Sequence, residues 1–142
     1  MDLGANRDAA FFNELGSGYF PDYVGVVVLD VGDGVVHTEL TLRPEHQAPN
    51  GYLHAGTVVT LADTSVGYGC VANLPPDAVG FTTIELKTNF LRTARDGVLR
   101  CEANAAHLGR TTQIWDATVT REGDERPLAL FRCTQLVLYP QP

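Results

Sequence analysis

Lysine is almost missing from this 142-residue chain: Lys87 is the only one, and the net charge is −7. An acidic balance of that size argues against nucleic acid as a partner. Cysteine is scarce as well. Cys70, Cys101 and Cys133 are odd in number, widely spaced and form no CxxC, which excludes a disulfide framework or a zinc ribbon and predicts buried thiols in a reducing compartment. No apolar run reaches the ~18 residues of a membrane span. The opening MDLGANRDAA has no basic segment followed by an apolar one, so a signal peptide is not expected and a cytoplasmic location is. P-loop, GxGxxG, GxSxG, HxxxH and HExxH motifs are all missing, and His37, His46 and His107 stand at no metal-ligand spacing. Nothing therefore signals nucleotide phosphates on a glycine loop, serine–histidine–aspartate hydrolysis or a histidine-held metal.

What is present fits one globular domain spanning 1–142, with 44% hydrophobic and 19% charged residues. RDAAFFNEL (7–15) predicts a short helix ending at Gly16. YVGVVVLDV (23–31) and VVHTELTL (35–42) flank GDG, a hairpin signal between β-rich runs. RPEHQAPNG follows as a loop. From Ala55 to about Ala72 the apolar positions recur at helical spacings and cover much of the circumference, predicting a helix enclosed by other elements. Gly67 and Gly69 in such a helix predict close backbone contact. Four strand-like runs come next, at 81–91, 98–107, 111–120 and 128–139, separated by the turn segments RTARDG, LGR and REGDERP. In the first of them, alternation sets Thr83 with Glu85 and Lys87, opposite Ile84, Leu86 and Phe90. The order predicts the α+β class: a curved antiparallel β-sheet wrapped around one long central helix.

The stretch NGYLHAGTVVTLADTSVGYG (50–69) raises the chemical question, because the carboxylate of Asp63 lies inside its helix. Burying an ionised carboxylate without partners is costly, so either Asp63 faces water or a site requires it. At the helix start, Ala55 and Gly56 present amides without intrahelical partners, and these can polarise a carbonyl oxygen. Gly56 and Asp63 are seven residues apart, which places them on one face but roughly 10 Å apart along the axis. One small reacting centre can touch both only if a second subunit brings its helix alongside, antiparallel. His54 reads either as a helix-start residue bonded to nearby backbone or as a group ordering water or a carbonyl. Asn50 reads as a turn former or as a partner in the same task. Arg92, Arg95, Arg100 and Arg110 make a local basic cluster on an acidic chain, either scattered surface arginines or a phosphate site.

HAGTVVTLAD resembles the helix-start signature of hotdog-fold acyl-CoA thioesterases, His-Gly-Gly followed at a fixed interval by Asp or Glu. The acid falls nine residues after the histidine, as in the phenylacetate-pathway (PaaI-like) branch of the 4-hydroxybenzoyl-CoA thioesterase superfamily. TTIELKTNFLRTARDG, HLGRTTQIWDATV and ALFRCTQLVL resemble the strands that complete that fold. The resemblance implies hydrolysis of an acyl- or aryl-CoA thioester, with Asp63 as general base or nucleophile and the amide of Ala55 or Gly56 as oxyanion hole. It implies that Asn50 and His54 position the carbonyl or water, and that Thr83 holds the water or carboxylate. Coenzyme A, present only as part of the substrate, would meet Arg92, Gly109, Arg110 and Thr111, with Tyr68, Phe90 and Leu91 as candidates for the acyl pocket. No metal or prosthetic group is implied, and the expected assembly is a homodimer or a dimer of dimers. The competing expectations are an enoyl-CoA hydratase or 3-hydroxyacyl dehydratase on the same fold, and a non-catalytic acyl-CoA-binding domain.

Overall fold

A computed structural model describes residues 6–141; the reading of MDLGA as no part of a leader lies outside them. Asp8 caps the first helix, α1 (Ala9–Gly16), by accepting from the Phe11 amide, and buries Phe12 beneath it. The strand expected from residue 23 begins later. Pro21 at the first turn starts a short helix, α2 (Phe20–Val24), which Gly25 ends in the left-handed conformation at φ 95°. Tyr23 and Val24 are thus helical, and β1 runs Val26–Gly32. It pairs with β2 (Val35–Thr41) across Asp33–Gly34.

Helix α3 (Ala55–Ala72) follows the 3-10 turn Pro44–His46, and then come β3 (Gly80–Phe90), β4 (Val98–Leu108), β5 (Thr112–Arg121) and β6 (Asp124–Leu138). Residues 124–127, read from sequence as part of a turn, belong to β6, because Arg121 pairs with Asp124 around a two-residue turn at Glu122–Gly123. The six strands form one antiparallel sheet in the order β1-β2-β4-β5-β6-β3. Its inner face closes on α3, with Leu40, Leu99, Trp115 and Val119 packing near Leu61 and Val66. This is the hotdog architecture expected from the sequence.

Both helix glycines serve contact. A Cβ on Gly69 would lie 2.7 Å from the Trp115 ring, and one on Gly67 would lie 3.1 Å from Phe81. The expected enclosure of α3 is incomplete, however. Val59, Thr60, Asp63, Thr64 and Tyr68 stay half-buried and form a stripe that the sheet does not cover. The β3 margin is open too: Leu86 and Phe90 pair in register with buried Cys133 and Ala129, so they face inward, yet they are 41% and 49% exposed.

Candidate active site

The loop before α3 is held by a buried histidine. His46 accepts the Arg43 amide at Nδ1 (3.0 Å), and its Nε2 donates to the Val24 carbonyl at the end of α2 (2.8 Å). The Thr57 hydroxyl donates to the His46 carbonyl (2.9 Å), so loop, α2 and the first turn of α3 are fastened together. Gln47 bridges to Leu53, which leaves Pro49, Asn50 and Gly51 at the tip of a tight turn. Gly51 takes φ 81° there, and Asn50 Oδ1 accepts the Tyr52 amide.

Of its two readings, His54 adopts the backbone-bonded one. It is the N-cap of α3, and its Nδ1 accepts the Gly56 amide at 2.8 Å. A Cβ on Gly56 would approach that nitrogen to 2.9 Å, so the glycine leaves room for the ring. The Gly56 N–H is therefore occupied, whereas the Ala55 N–H, one residue earlier, makes none of the described hydrogen bonds. Alanine stands without strain where the resemblance has its first glycine, because no non-glycine residue among those described has a positive φ. A cavity of about 530 Å³ opens at this helix start. His54, Gly56, Thr60 and Gln47 line one side, and Phe20 and Tyr23 of α2 line another.

Gln47 is the residue the sequence reading passed over. Its Oε1 is buried with no hydrogen-bond partner, while its Nε2 donates to the Arg95 carbonyl (3.0 Å). The signal was present: Pro-Asn-Gly marks a turn, which places Asn50 at the tip and Gln47 at the base, against the helix.

Asp63 lies on the uncovered stripe, about two turns beyond Gly56 and less than one beyond Thr60, and does not line this cavity. Its Oδ1 is buried without a partner. Burial lifts its pKa above the ordinary carboxylate value, and the Thr83 hydroxyl beside it offsets part of the rise. The structure thus brings Thr83 and Asp63 together, contrary to the strand alternation. A β-bulge between Thr83 and Glu85 resets the period, so Thr83 pairs with buried Gln135 and faces α3. Its Oγ1 donates to Gln135 Oε1 at 2.8 Å.

The arginines separate into different places. Arg100 is held by Glu39 (2.8 Å) and Glu122 (2.5 Å) on the sheet. Arg92 and Arg95 lie on the loop after β3, which touches the helix start where the Leu53 amide donates to Thr93 Oγ1 (3.1 Å). With Arg121 and Arg126 they line a cavity of about 490 Å³, balanced by Asp96 and Asp124. Arg92 keeps only a 4.0 Å contact with Asp124. Gly109, Arg110 and Thr111 form the β4–β5 turn at the opposite end, where Gln113 bonds the C-cap of α3 and Arg110 stacks on Tyr139. An 18-residue helix, about 27 Å long, runs between the two groups, so one chain does not bring Arg92 and Arg110 together. Tyr68 stacks on Phe12 beneath α1, apart from the cavity at the helix start. Among the described residues no cluster of three or more His, Cys, Asp or Glu could hold a metal, and no helix is long and apolar enough to cross a membrane.

Against known proteins, the sequence model of the thioesterase superfamily matches residues 50–128. The 1,4-dihydroxy-2-naphthoyl-CoA hydrolase of Listeria monocytogenes is 32% identical over 111 residues, covering 78% of this chain and 89% of that protein. The crystal structure of a mutant of thioesterase PA1618 from Pseudomonas aeruginosa superposes with a TM-score of 0.88 at 26% identity, over 94% of this chain and 95% of its own. The PaaI protein of Escherichia coli, at 20% identity and a TM-score of 0.79 over 92% and 91% of the two chains, shares the fold. The chain belongs to the thioesterase superfamily and is a thioester hydrolase of the hotdog fold.

Proposed function

We propose that the protein hydrolyses an acyl-CoA thioester to free acid and coenzyme A at a site shared between two copies of the chain. One observation carries the reading. A half-buried carboxylate with an unpartnered oxygen lies on the uncovered stripe of a helix whose start borders a cavity, with the unoccupied Ala55 amide between the lining residues His54 and Gly56 in the chain. A second α3 laid antiparallel over the stripe would bring its Asp63 to that cavity and would also cover the exposed inward-facing Leu86 and Phe90. Assembly as a dimer, or as a dimer of dimers, is part of this proposal.

Within the site, the Ala55 N–H and the dipole of α3 polarise the thioester carbonyl, the Gly56 N–H being taken by His54. The Gln47 carboxamide oxygen accepts a hydrogen bond from the attacking water and fixes its approach. Asp63 of the facing copy acts as general base or as nucleophile, and Thr83 steadies it. The raised carboxylate pKa moves the base toward the operating pH. Asn50 contributes by shaping the turn that presents Gln47.

The cavity's two flanks differ chemically. Phe20 and Tyr23, 62% and 80% exposed, offer ring faces on the α2 side, which suits an aromatic acyl group such as the one in the name of the Listeria relative. On the Gln47 side, the arginines of the 92–95 loop, which line a separate cavity and meet Gln47 at the Arg95 carbonyl, suit the coenzyme A phosphates, with Arg110, Gly109 and Thr111 reaching them from another copy. Release of thiol from a panel of aryl- and alkyl-CoA thioesters, with wild type against Asp63→Asn, tests the reading. Turnover by wild type and its loss in the variant are expected. No release from any substrate would sink the activity, and equal rates would sink the role of Asp63. Acyl-CoA binding without any release would instead favour a non-catalytic binding domain.

A further inference from the structure

Behind Asp63 lies a polar group that the reaction does not call for. Gln135 on β6 is 0% exposed, pairs in register with Thr83, and sets its carboxamide between the Thr83 hydroxyl (2.8 Å) and the Cys133 thiol (3.4 Å). A buried glutamine between Thr83 on β3 and buried Gln113 on β5 is costly unless its polar atoms are matched.

The matching is faulty in one respect. The Thr83 hydroxyl carries a single proton, and with the Gln135 oxygen facing it that proton goes to Gln135. Asp63 also lies beside Thr83, and its buried Oδ1 has no hydrogen-bond partner. The two ends of a carboxamide have nearly the same shape, and only the hydrogen-bond network distinguishes them. Turning the Gln135 amide by a half-rotation keeps both contacts and repairs each. Nε2 then donates to Thr83 Oγ1, which frees the hydroxyl proton for Asp63. Oε1 accepts from the Cys133 S–H, a thiol that keeps its proton because burial pushes its pKa up to about 12.

We propose that Gln135 is a positioning residue for the Asp63 carboxylate, its amide nitrogen turned to Thr83 so that the Thr83 hydroxyl donates to Asp63. The relay runs Cys133 S–H to Gln135, Gln135 N–H to Thr83, and Thr83 O–H to Asp63. It rests on the thioesterase reading for the importance of Asp63. It explains the β-bulge, which turns Thr83 inward between the two. The titratable group that faces Asp63 is the Cys133 thiol on β6, with Cys70 on α3 beyond it. Burial holds both neutral, and no other described charge acts on the carboxylate.

The test is a titration of the Asp63 side-chain carboxyl by carbon-13 NMR in the full-length protein, comparing wild type with Gln135→Met, Thr83→Val and Thr83→Ser. Methionine keeps the volume of glutamine but offers Thr83 no donor. Gln135→Met and Thr83→Val are each expected to raise the Asp63 midpoint by about half a pH unit or more, without adding in the double variant. Thr83→Ser keeps the wild-type midpoint. With the opposite amide orientation, Gln135→Met would release the Thr83 proton to Asp63 and lower the midpoint, and that result would overturn the proposal. So would an unmoved midpoint in Thr83→Val, a measurement that stands even where Gln135→Met does not fold. The titration needs no turnover, so a catalytically silent wild type would count against the thioesterase reading and leave the relay measurable.

Discussion

As the proposed base, Asp63 would pull stability and activity in opposite directions. Because burial raises its pKa, the folded chain holds this proton more tightly than the unfolded chain does. Its charge therefore opposes folding above the folded-state pKa, and the penalty disappears below the unfolded carboxylate value near pH 4. Asp63→Asn should raise Tm at pH 7 by roughly 2–5 °C, and hardly at all at about pH 3.5, while lowering kcat on the order of 10²–10⁴-fold. Scanning calorimetry at the two pH values, set beside thiol release, checks both halves; a variant less stable at pH 7 would contradict the account. Gln47→Ala should lower kcat about 10- to 100-fold with little change in Tm, since one of its two polar ends is unpartnered in the fold. Asp63 was legible because it falls nine positions after His54 in an otherwise largely apolar stretch. Gln47 was not, since Asn50 lies nearer the histidine in the chain and only the folded turn shows which of the two amides reaches the helix.

At the scale of elements, most of what the chain builds follows from periodicity. The α3 pattern and the glycine contacts predicted from Gly67 and Gly69 are both present in the fold. Gly69→Ala should push a methyl into the Trp115 ring, which Gln113 fixes through Nε1 (2.9 Å), and cost about 1–3 kcal/mol by chemical denaturation. The elements that misled the sequence reading are those where a local device breaks the period. A proline and a left-handed glycine convert the expected start of β1 into α2, and the bulge in β3 turns Thr83 to the inner face. The uncovered stripe on α3 was hidden for another reason. Residues such as Val59 look like core in sequence, and only the sheet's actual reach shows that the same chain covers them no more than in part. The loop after β3 carries its own prediction. Arg95→Ala should raise KM roughly tenfold for coenzyme A thioesters and leave KM for the matching pantetheine thioesters unchanged, because only the former carry the nucleotide phosphates. A parallel rise on both would place the phosphates elsewhere.

For the whole molecule, the central claim is that acid and oxyanion donor of one site come from different chains. Each half can be removed separately. Asp63→Asn removes the acid. Ala55→Pro removes the N–H at the first helical position, where proline suits the helix and where His54, at φ −68° and ψ 132°, already has the backbone that precedes a proline. Each variant alone should be nearly inactive. When the two are unfolded together and refolded at equal amounts, half of the dimers are mixed, and each mixed dimer holds one site with both parts intact. The account predicts recovery of about a quarter of wild-type thiol release. If both parts came from the same chain, every site in the mixture would stay defective, and release no greater than that of the two variants refolded apart would contradict it.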